Sequence, residues 1–184
     1  MRSFETAAIR TDRLVLRPLT DADVLPLFAI HSDPMAMRFW SAPLWKDEER
    51  GRVMVARDLD AGLTDHLRLG IERTADAHLL GTCAFFDIND PCRRAELGYM
   101  LDSHAWGQGY MQEALTAFIS FGFEQLNLNR IEADTDPRNQ RSMQLLQRLH
   151  FAKEGHFRER WIVEGEVSDA AMFGLLRRDW PKGS

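Results

Sequence analysis

Residues 96–115 read ELGYMLDSHAWGQGYMQEAL and connect a strand pattern to a helix pattern through a glycine-rich turn. Gly107 and Gly109 stand in this turn, directly before a helix with an apolar stripe. The stripe consists of Met111, Leu115, Phe118, Ile119 and Gly122. Glycines let backbone N–H groups approach a ligand closely, and the start of a helix carries partial positive charge. The stretch therefore predicts a strand–turn–helix unit with an anion site suited to a phosphate or pyrophosphate.

Two familiar phosphate-binding motifs do not match this turn. A dinucleotide fingerprint requires a third glycine where Gln112 stands. A Walker-type loop requires a Gly-Lys-Ser/Thr sequence, which occurs nowhere in the chain. The alternative at this point is a plain strand-to-helix connection that needs two glycines for its backbone alone.

Strand and helix patterns alternate on both sides of the turn, with no repeat or linker, and predict one domain over residues 1–184. Strands are predicted at 13–17, 66–72, 79–88, 95–101, 130–134, 157–163 and 169–176, and later helices at 47–59, 107–123 and 139–149. The first helix starts either at Thr20, as a capping box with Asp23, or at Asp23 itself. Only the second start places Pro26 harmlessly in the first turn. These elements describe an α/β (α+β) domain with a mixed sheet and one parallel crossover.

Composition narrows the class of protein. Hydrophobic residues make up 45% of the 184 residues and charged residues 28%, as in soluble globular proteins. The chain has 23 basic and 28 acidic residues, a formal net charge of −5, which disfavours nucleic-acid binding and suits a cationic partner such as an amine. No stretch reaches the ~20 apolar residues of a membrane span, and the first residues lack the apolar core of a signal peptide. With only Cys83 and Cys92, we expect a protein of the reducing cytoplasm.

A second segment favours the anion site over the plain connection. Residues 136–151 read DPRNQRSMQLLQRLHF, and Asn139 and Ser142 follow Gly109 at a distance of about 30 residues. Together with the turn, this segment resembles the GNAT superfamily of acetyl-CoA-dependent N-acetyltransferases, and more closely its ribosomal-protein (RimJ/RimL-type) branch. The resemblance extends over nearly the whole chain. It includes TDRLVLRP at 11–18, DPMAMRFW at 33–40 and the Gly165 to Asp169 segment.

The resemblance implies a GNAT-type sheet of about seven strands, mostly antiparallel and splayed between its two central strands. It also implies acetyl-CoA as cofactor, with the pyrophosphate on the glycine turn. The pantetheine arm would pair with the end of the preceding strand like an added strand. Asn139 would lie near pantetheine and Ser142 near the sulfur. The cofactor-binding residues so implied are Tyr99, Met100, Leu101, Trp106, Gly107, Gln108, Gly109, Tyr110, Met111, Gln112, Asn139 and Ser142.

The resemblance also bears on the catalytic residues. Leu146 stands where many superfamily members carry a tyrosine that protonates the leaving thiolate, which makes Ser142 the substitute. Glu96 is the candidate general base, and a solvated strand glutamate is the alternative. Trp40 and Trp161 would flank the acceptor channel or belong to the core. The six histidines have no metal-ligand spacing, so no metal is expected.

The sequence leaves three functions open. The first is acetylation of the α-amine of a protein or peptide N-terminus, with ribosomal proteins as the family-based expectation. The second is acetylation of a small amine such as an antibiotic, a polyamine or an amino acid. The third is a non-catalytic acyl-CoA binding module. An α-amine has a pKa near 7.8 and a lysine near 10.4, so the lack of an evident strong base favours the α-amine. The protein is expected to be a monomer or a homodimer that binds neither nucleic acid nor membrane.

Overall fold

A computed structural model describes residues 8–60 and 66–181 of the chain. Residues 1–7, 61–65 and 182–184 of the predicted 1–184 domain lie outside the described residues. The described residues form one eight-stranded sheet with four α-helices. The strands are β1 Ile9–Arg10, β2 Leu14–Arg17, β3 Leu67–Arg73, β4 His78–Asn89, β5 Arg94–Leu101, β6 Arg130–Thr135, β7 Ala152–Val163 and β8 Glu166–Leu176. The helices are α1 Val24–Ser32, α2 Glu49–Asp60, α3 Tyr110–Glu124 and α4 Gln140–Arg148.

The strand order in the sheet is β1-β2-β3-β4-β5-β6-β8-β7, and every neighbouring pair is antiparallel except β5 and β6. The parallel pair is joined through α3, as the predicted crossover requires. All seven predicted strands are present, and the eighth is the two-residue β1. The mixed, mostly antiparallel sheet is thus confirmed.

The two central strands pair over only three residues. Arg94, Ala95 and Glu96 of β5 pair with Arg130, Ile131 and Glu132 of β6. Beyond the last pair β5 continues to Leu101 and β6 to Thr135 without pairing to each other. The predicted splay is therefore present, and it opens immediately after Glu96.

Helix α3 packs on the sheet through its apolar stripe. Phe118 is fully buried and stacks on Phe85 of β4 with 4.2 Å between ring centroids. Gly122, one turn later, lies so close to the same ring that a Cβ there would come within 2.7 Å of Phe85 Cζ. The stripe predicted from the sequence is thus the face through which α3 packs on β4.

Two helices start at residues that the sequence either predicted differently or left open. Helix α3 begins at Tyr110 and not at Gly107, because Gly107 and Gly109 have φ angles of +78° and +80°, outside the right-handed helical region. Helix α1 begins after Asp23, which places Pro26 in its first turn. The Thr20 backbone N–H and hydroxyl both donate to the Asp23 carboxylate, at 2.7 and 3.0 Å.

We predict that the β4–β5 contact tolerates no side chain at Gly81. A Cβ at this position would overlap the backbone carbonyl of Met100 and come within 2.9 Å of Leu101 Cα, and backbone atoms cannot move aside as a side chain can. Gly81→Ala should lower the free energy of unfolding by about 2–3 kcal/mol in denaturant titrations. Gly155→Ala is the matched control, because its Cβ would meet only Met172 side-chain atoms at 3.6 Å or more. It should change stability by less than about 0.5 kcal/mol. Equal stabilities of the two variants would contradict the prediction.

Candidate active site

The glycine turn presents backbone donors at the start of α3. Gly109 caps the helix in a left-handed conformation, and the first hydrogen bond within the helix runs from the Glu113 N–H to the Gly109 carbonyl at 3.1 Å. The amides of Tyr110, Met111 and Gln112 precede this bond, and such amides have no partner within their own helix. A Cβ added at Gly107 would meet nothing within 4 Å, so the space beside the turn is open. Donors and open space together fit a pyrophosphate.

Trp106 connects the turn to the end of β5. Its indole N–H donates to the Leu101 carbonyl at 3.0 Å, and the guanidinium of Arg141 on α4 lies over its ring at 4.8 Å. One lone pair of the Leu101 carbonyl is therefore used within the protein. The edge of β5 that faces β6 has no strand partner from Leu97 onward among the described residues. This edge is where an extended ligand can add as a strand.

The spacing of Asn139 and Ser142 has a structural cause. Asn139 is the N-cap residue of α4, and its side-chain oxygen accepts a hydrogen bond from the Ser142 N–H at 3.1 Å. An N-cap side chain accepts a hydrogen bond from the N–H of the second or third helical residue, and here the third residue gives the spacing of Asn139 and Ser142. The cap fixes the first turn of α4 and thereby the direction of the Ser142 side chain. Leu146, one turn later, is fully buried and serves packing.

The Ser142 and Tyr99 hydroxyl groups form a hydrogen bond, with 2.7 Å between the two oxygen atoms. Sequence reasoning assigned only backbone contacts to Tyr99 and missed this side-chain pair. Burial raises the pKa of Tyr99 to about 12, and the hydrogen bond with Ser142 opposes the rise only in part. The phenol therefore keeps its proton near neutral pH. Met100, the next residue, faces the other side of the strand and packs against Ile30 and Met37.

Glu96 lies at the point where β5 and β6 separate. It lines a small cavity together with Glu132, Ala133, Asp134, Arg160 and Met172. Its carboxylate makes no hydrogen bond or ion pair with the described residues, whereas Glu132 binds both Arg94 and Arg130.

The surroundings of Glu96 favour its protonated form. Partial burial raises the pKa of its carboxyl above the ordinary value, and the nearby carboxylates of Asp87 and Asp134 raise it further. The positive charge of Arg94 opposes these effects without cancelling them. A half-buried carboxyl group with free lone pairs and a raised pKa is suited to accept a proton.

The two predicted acceptor-site tryptophans lie in different places. The Trp161 indole N–H donates to Asp134 Oδ2 at 2.8 Å, which places Trp161 beside the Glu96 cavity. Trp40 packs against the cluster of Ile30, Met37 and Met100 and does not line that cavity. The structure therefore connects Trp161 to the Glu96 cavity through Asp134 and places Trp40 in a separate cluster.

Within residues 8–60 and 66–181, no group of three or more His, Cys, Asp and Glu side chains is arranged to hold a metal ion. The helices of the same residues are too short or too polar to span a membrane. Cys83 is buried, and burial raises the pKa of its thiol, whereas Cys92 is exposed.

Comparisons with known proteins agree with this geometry. Residues 13–152 match a family model described as an acetyltransferase (GNAT) domain. The chain is 38% identical over 173 residues to an uncharacterized N-acetyltransferase, p20, of Bacillus licheniformis, covering 92% of this chain and 96% of that one. It is also 38% identical over 87 residues to the [ribosomal protein uS5]-alanine N-acetyltransferase of Escherichia coli, covering 47% and 45% of the two chains. The solved structure of a candidate ribosomal-protein-serine acetyltransferase from Vibrio cholerae superposes with a TM-score of 0.80 at 27% identity, covering 94% of this chain and 98% of that one.

We predict that acetyl-CoA binding depends on the backbone of the glycine turn. Gly109→Val should weaken binding at least tenfold in calorimetry, because a β-branched residue disfavours a φ of +80° and would turn the donor amides away. Gly165→Val is the matched control for backbone strain, since Gly165 has a φ of +88° and nothing within 4 Å of its Cβ position. The control should lose similar stability and keep its affinity. Unchanged affinity in a folded Gly109→Val protein would contradict the anion site.

Proposed function

Since the chain belongs to the GNAT family of acetyltransferases, we propose that it transfers the acetyl group of acetyl-CoA to the α-amine of a protein or peptide N-terminus. The observation that supports this proposal is the position of Glu96, which lies where β5 and β6 separate. It is a half-buried carboxylate with no partner among the described residues, and it is the only candidate base that the sequence predicted. The uS5-alanine N-acetyltransferase of Escherichia coli supports the same acceptor class by its name.

The acidity of the acceptor explains why this base suffices. A lysine ammonium has a pKa near 10.4 and an α-ammonium near 7.8, so the neutral α-amine is roughly several hundred times more abundant near pH 7. A carboxylate, even with a raised pKa, removes a proton readily only from the more acidic ammonium. Glu96, directly or through a water, would take the proton that the amine loses on attack.

The other residues of the site would bind, orient and stabilise. Bound acetyl-CoA supplies an activated thioester with a thiolate leaving group. The amides from Gln108 to Gln112 would hold the pyrophosphate, and the free edge of β5 would hold the extended arm. A Tyr99 hydroxyl that donates to Ser142 leaves the serine's own proton free for a further acceptor. Ser142 would direct that proton at the sulfur, where negative charge develops.

A small-amine acceptor is the second candidate, and the charges around Glu96 suit it as well. Asp87 and Asp134 add negative charge near Glu96, and Trp161 lies beside Asp134. Carboxylates next to an aromatic ring attract a cationic ligand such as a polyamine. An N-terminal peptide also carries a cationic amine, so this charge distribution is compatible with both acceptors.

An acceptor panel separates the candidates. We expect thiol release from acetyl-CoA to be fastest with peptides that have a free N-terminal alanine or serine. The same peptides with a blocked N-terminus and an internal lysine are the matched controls, and kcat/KM should be at least tenfold lower for them. A preference for spermidine or an aminoglycoside would instead establish the second candidate. Tight acetyl-CoA binding with no thiol release for any amine would instead indicate a non-catalytic acyl-CoA binding module.

The same panel measured with Glu96→Gln tests the base. In the unsubstituted enzyme kcat/KM should fall as the pH falls through the raised pKa of Glu96, because only the carboxylate accepts a proton. Glu96→Gln should lower kcat roughly 100-fold near neutral pH, remove that limb of the profile and recover at high pH. Glu124→Gln, which changes an exposed carboxylate at the end of α3, should have no effect. A decrease in kcat of less than threefold in Glu96→Gln would show that Glu96 is only a solvated strand residue.

We predict that Tyr99 acts only through Ser142. Ser142→Ala should lower kcat about 10- to 100-fold, the value of one hydrogen bond to developing charge, with acetyl-CoA affinity nearly unchanged. Tyr99→Phe should lower kcat about two- to tenfold, because it removes one neutral hydrogen bond. The double variant should be no slower than Ser142→Ala, since the serine that Tyr99 orients is gone. Additive losses would show that the two hydroxyls act independently.

A further inference from the structure

The segment between β1 and β2 is attached to the start of α3 by a dense set of polar contacts. Thr11 Oγ1 donates to Glu113 Oε1 at 2.6 Å, and the Arg13 backbone N–H donates to the same oxygen at 2.9 Å. The Arg13 guanidinium binds Glu113 Oε2 through Nε at 2.7 Å and Nη2 at 2.6 Å. Its third nitrogen, Nη1, donates to the Gln108 carbonyl at 3.1 Å. The guanidinium also lies over the Tyr110 ring at 4.6 Å.

The contact with Gln108 orients the peptide that enters the helix. The Gln108 carbonyl and the Gly109 N–H belong to one planar trans peptide, so they point in opposite directions. By holding the carbonyl, Arg13 turns the Gly109 N–H away from itself. Rotation of this peptide changes ψ of Gln108 and φ of Gly109, and Gly109, which has a positive φ and no side chain, opposes that rotation only weakly. Arg13 therefore supplies the restraint that Gly109 lacks.

The contact with Glu113 has an electrostatic consequence. Glu113 lies in the first turn of α3, beside the amides of Met111 and Gln112. An unpaired carboxylate at this place would repel a pyrophosphate and counteract the positive potential of the helix start. Arg13 pairs with that carboxylate through two nitrogens.

We infer that Arg13 is a positioning residue for the pyrophosphate of acetyl-CoA: it orients the Gly109 N–H and neutralises Glu113 at the glycine turn. The inference rests on the pyrophosphate site of the proposed function. The alternative is that the Arg13–Glu113 ion pair is purely structural. Its loss would then lower folding stability without weakening the binding of the pyrophosphate in particular. The Arg13 side chain is 47% exposed, and ion pairs this exposed contribute little to folding stability. Arg13→Ala should therefore fold.

The test compares acetyl-CoA with S-acetylpantetheine, which lacks the pyrophosphate. Arg13→Ala should raise the Kd of acetyl-CoA about tenfold or more, the effect of losing one charge-assisted interaction. The KM of S-acetylpantetheine should stay within twofold. Arg13→Ala/Glu113→Gln should recover part of the lost affinity, because it removes the unpaired carboxylate. Arg52→Ala, which breaks the exposed Arg52–Glu48 pair at the start of α2, is the matched control and should change neither constant.

Each outcome decides one step. Equal losses with both ligands, or no loss with acetyl-CoA, would overturn the role of Arg13, and thermal unfolding of each variant excludes a folding defect. If Gly109→Val weakens acetyl-CoA binding and Arg13→Ala does not, only this inference fails. If neither variant weakens binding, the pyrophosphate site of the proposed function fails as well.

Discussion

Beyond the pair of Glu96 and Glu132, β5 and β6 no longer share backbone hydrogen bonds, and the candidate site is arranged around that separation. Backbone groups inside a fold have to find partners, so an unpaired strand edge in the middle of a sheet requires water or a ligand. The crossover through α3 places the glycine turn at the open end of the gap, because α3 follows β5 after a short connection. The acceptor-side carboxylates lie at the other end, where the strands part. One interruption of a sheet thus yields both a strand-like binding edge and a cavity.

The two ends of the gap differ in electrostatic character. Backbone amides and a helix start make the turn favourable for an anion, whereas Glu96, Asp87 and Asp134 make the parting of the strands favourable for a cation. The anionic cofactor acetyl-CoA and the cationic acceptor amine would therefore enter the site from different ends of the gap. Arg160 in the Glu96 cavity lies over the Trp161 ring, whereas Arg13 is paired with Glu113 and Arg94 with Glu132. Pairing keeps these guanidinium groups in place and limits their attraction for the wrong ligand.

Regular patterns in the sequence predicted the strands, the helices and the crossover, because hydrophobic periodicity is local and directly visible. The glycine turn was also predicted, but the first helical residue was not, since a motif does not reveal that both Gly107 and Gly109 adopt positive φ. Side-chain hydrogen bonds between distant residues were not predicted. Tyr99 and Ser142 are 43 positions apart and Thr11 and Glu113 are 102 apart, so no periodicity connects them. Only the register of β5 against α4, and of the β1–β2 segment against α3, brings these side chains together.

The Tyr99–Ser142 pair offers a physical reason why a tyrosine on α4 is dispensable here. A phenol at position 146 would point into a region that the fold uses for packing, where Leu146 is fully buried. A phenol on β5 can instead occupy the space next to the α4 hydroxyl, and Asn139 fixes that hydroxyl by capping the helix. Since a thiol has a pKa near that of cysteine, about 8.5, its thiolate leaves without full proton transfer. In the proposed mechanism a hydrogen bond from Ser142 is then sufficient, and Tyr99, whose pKa burial raises to about 12, is better suited to orient that serine than to protonate the sulfur.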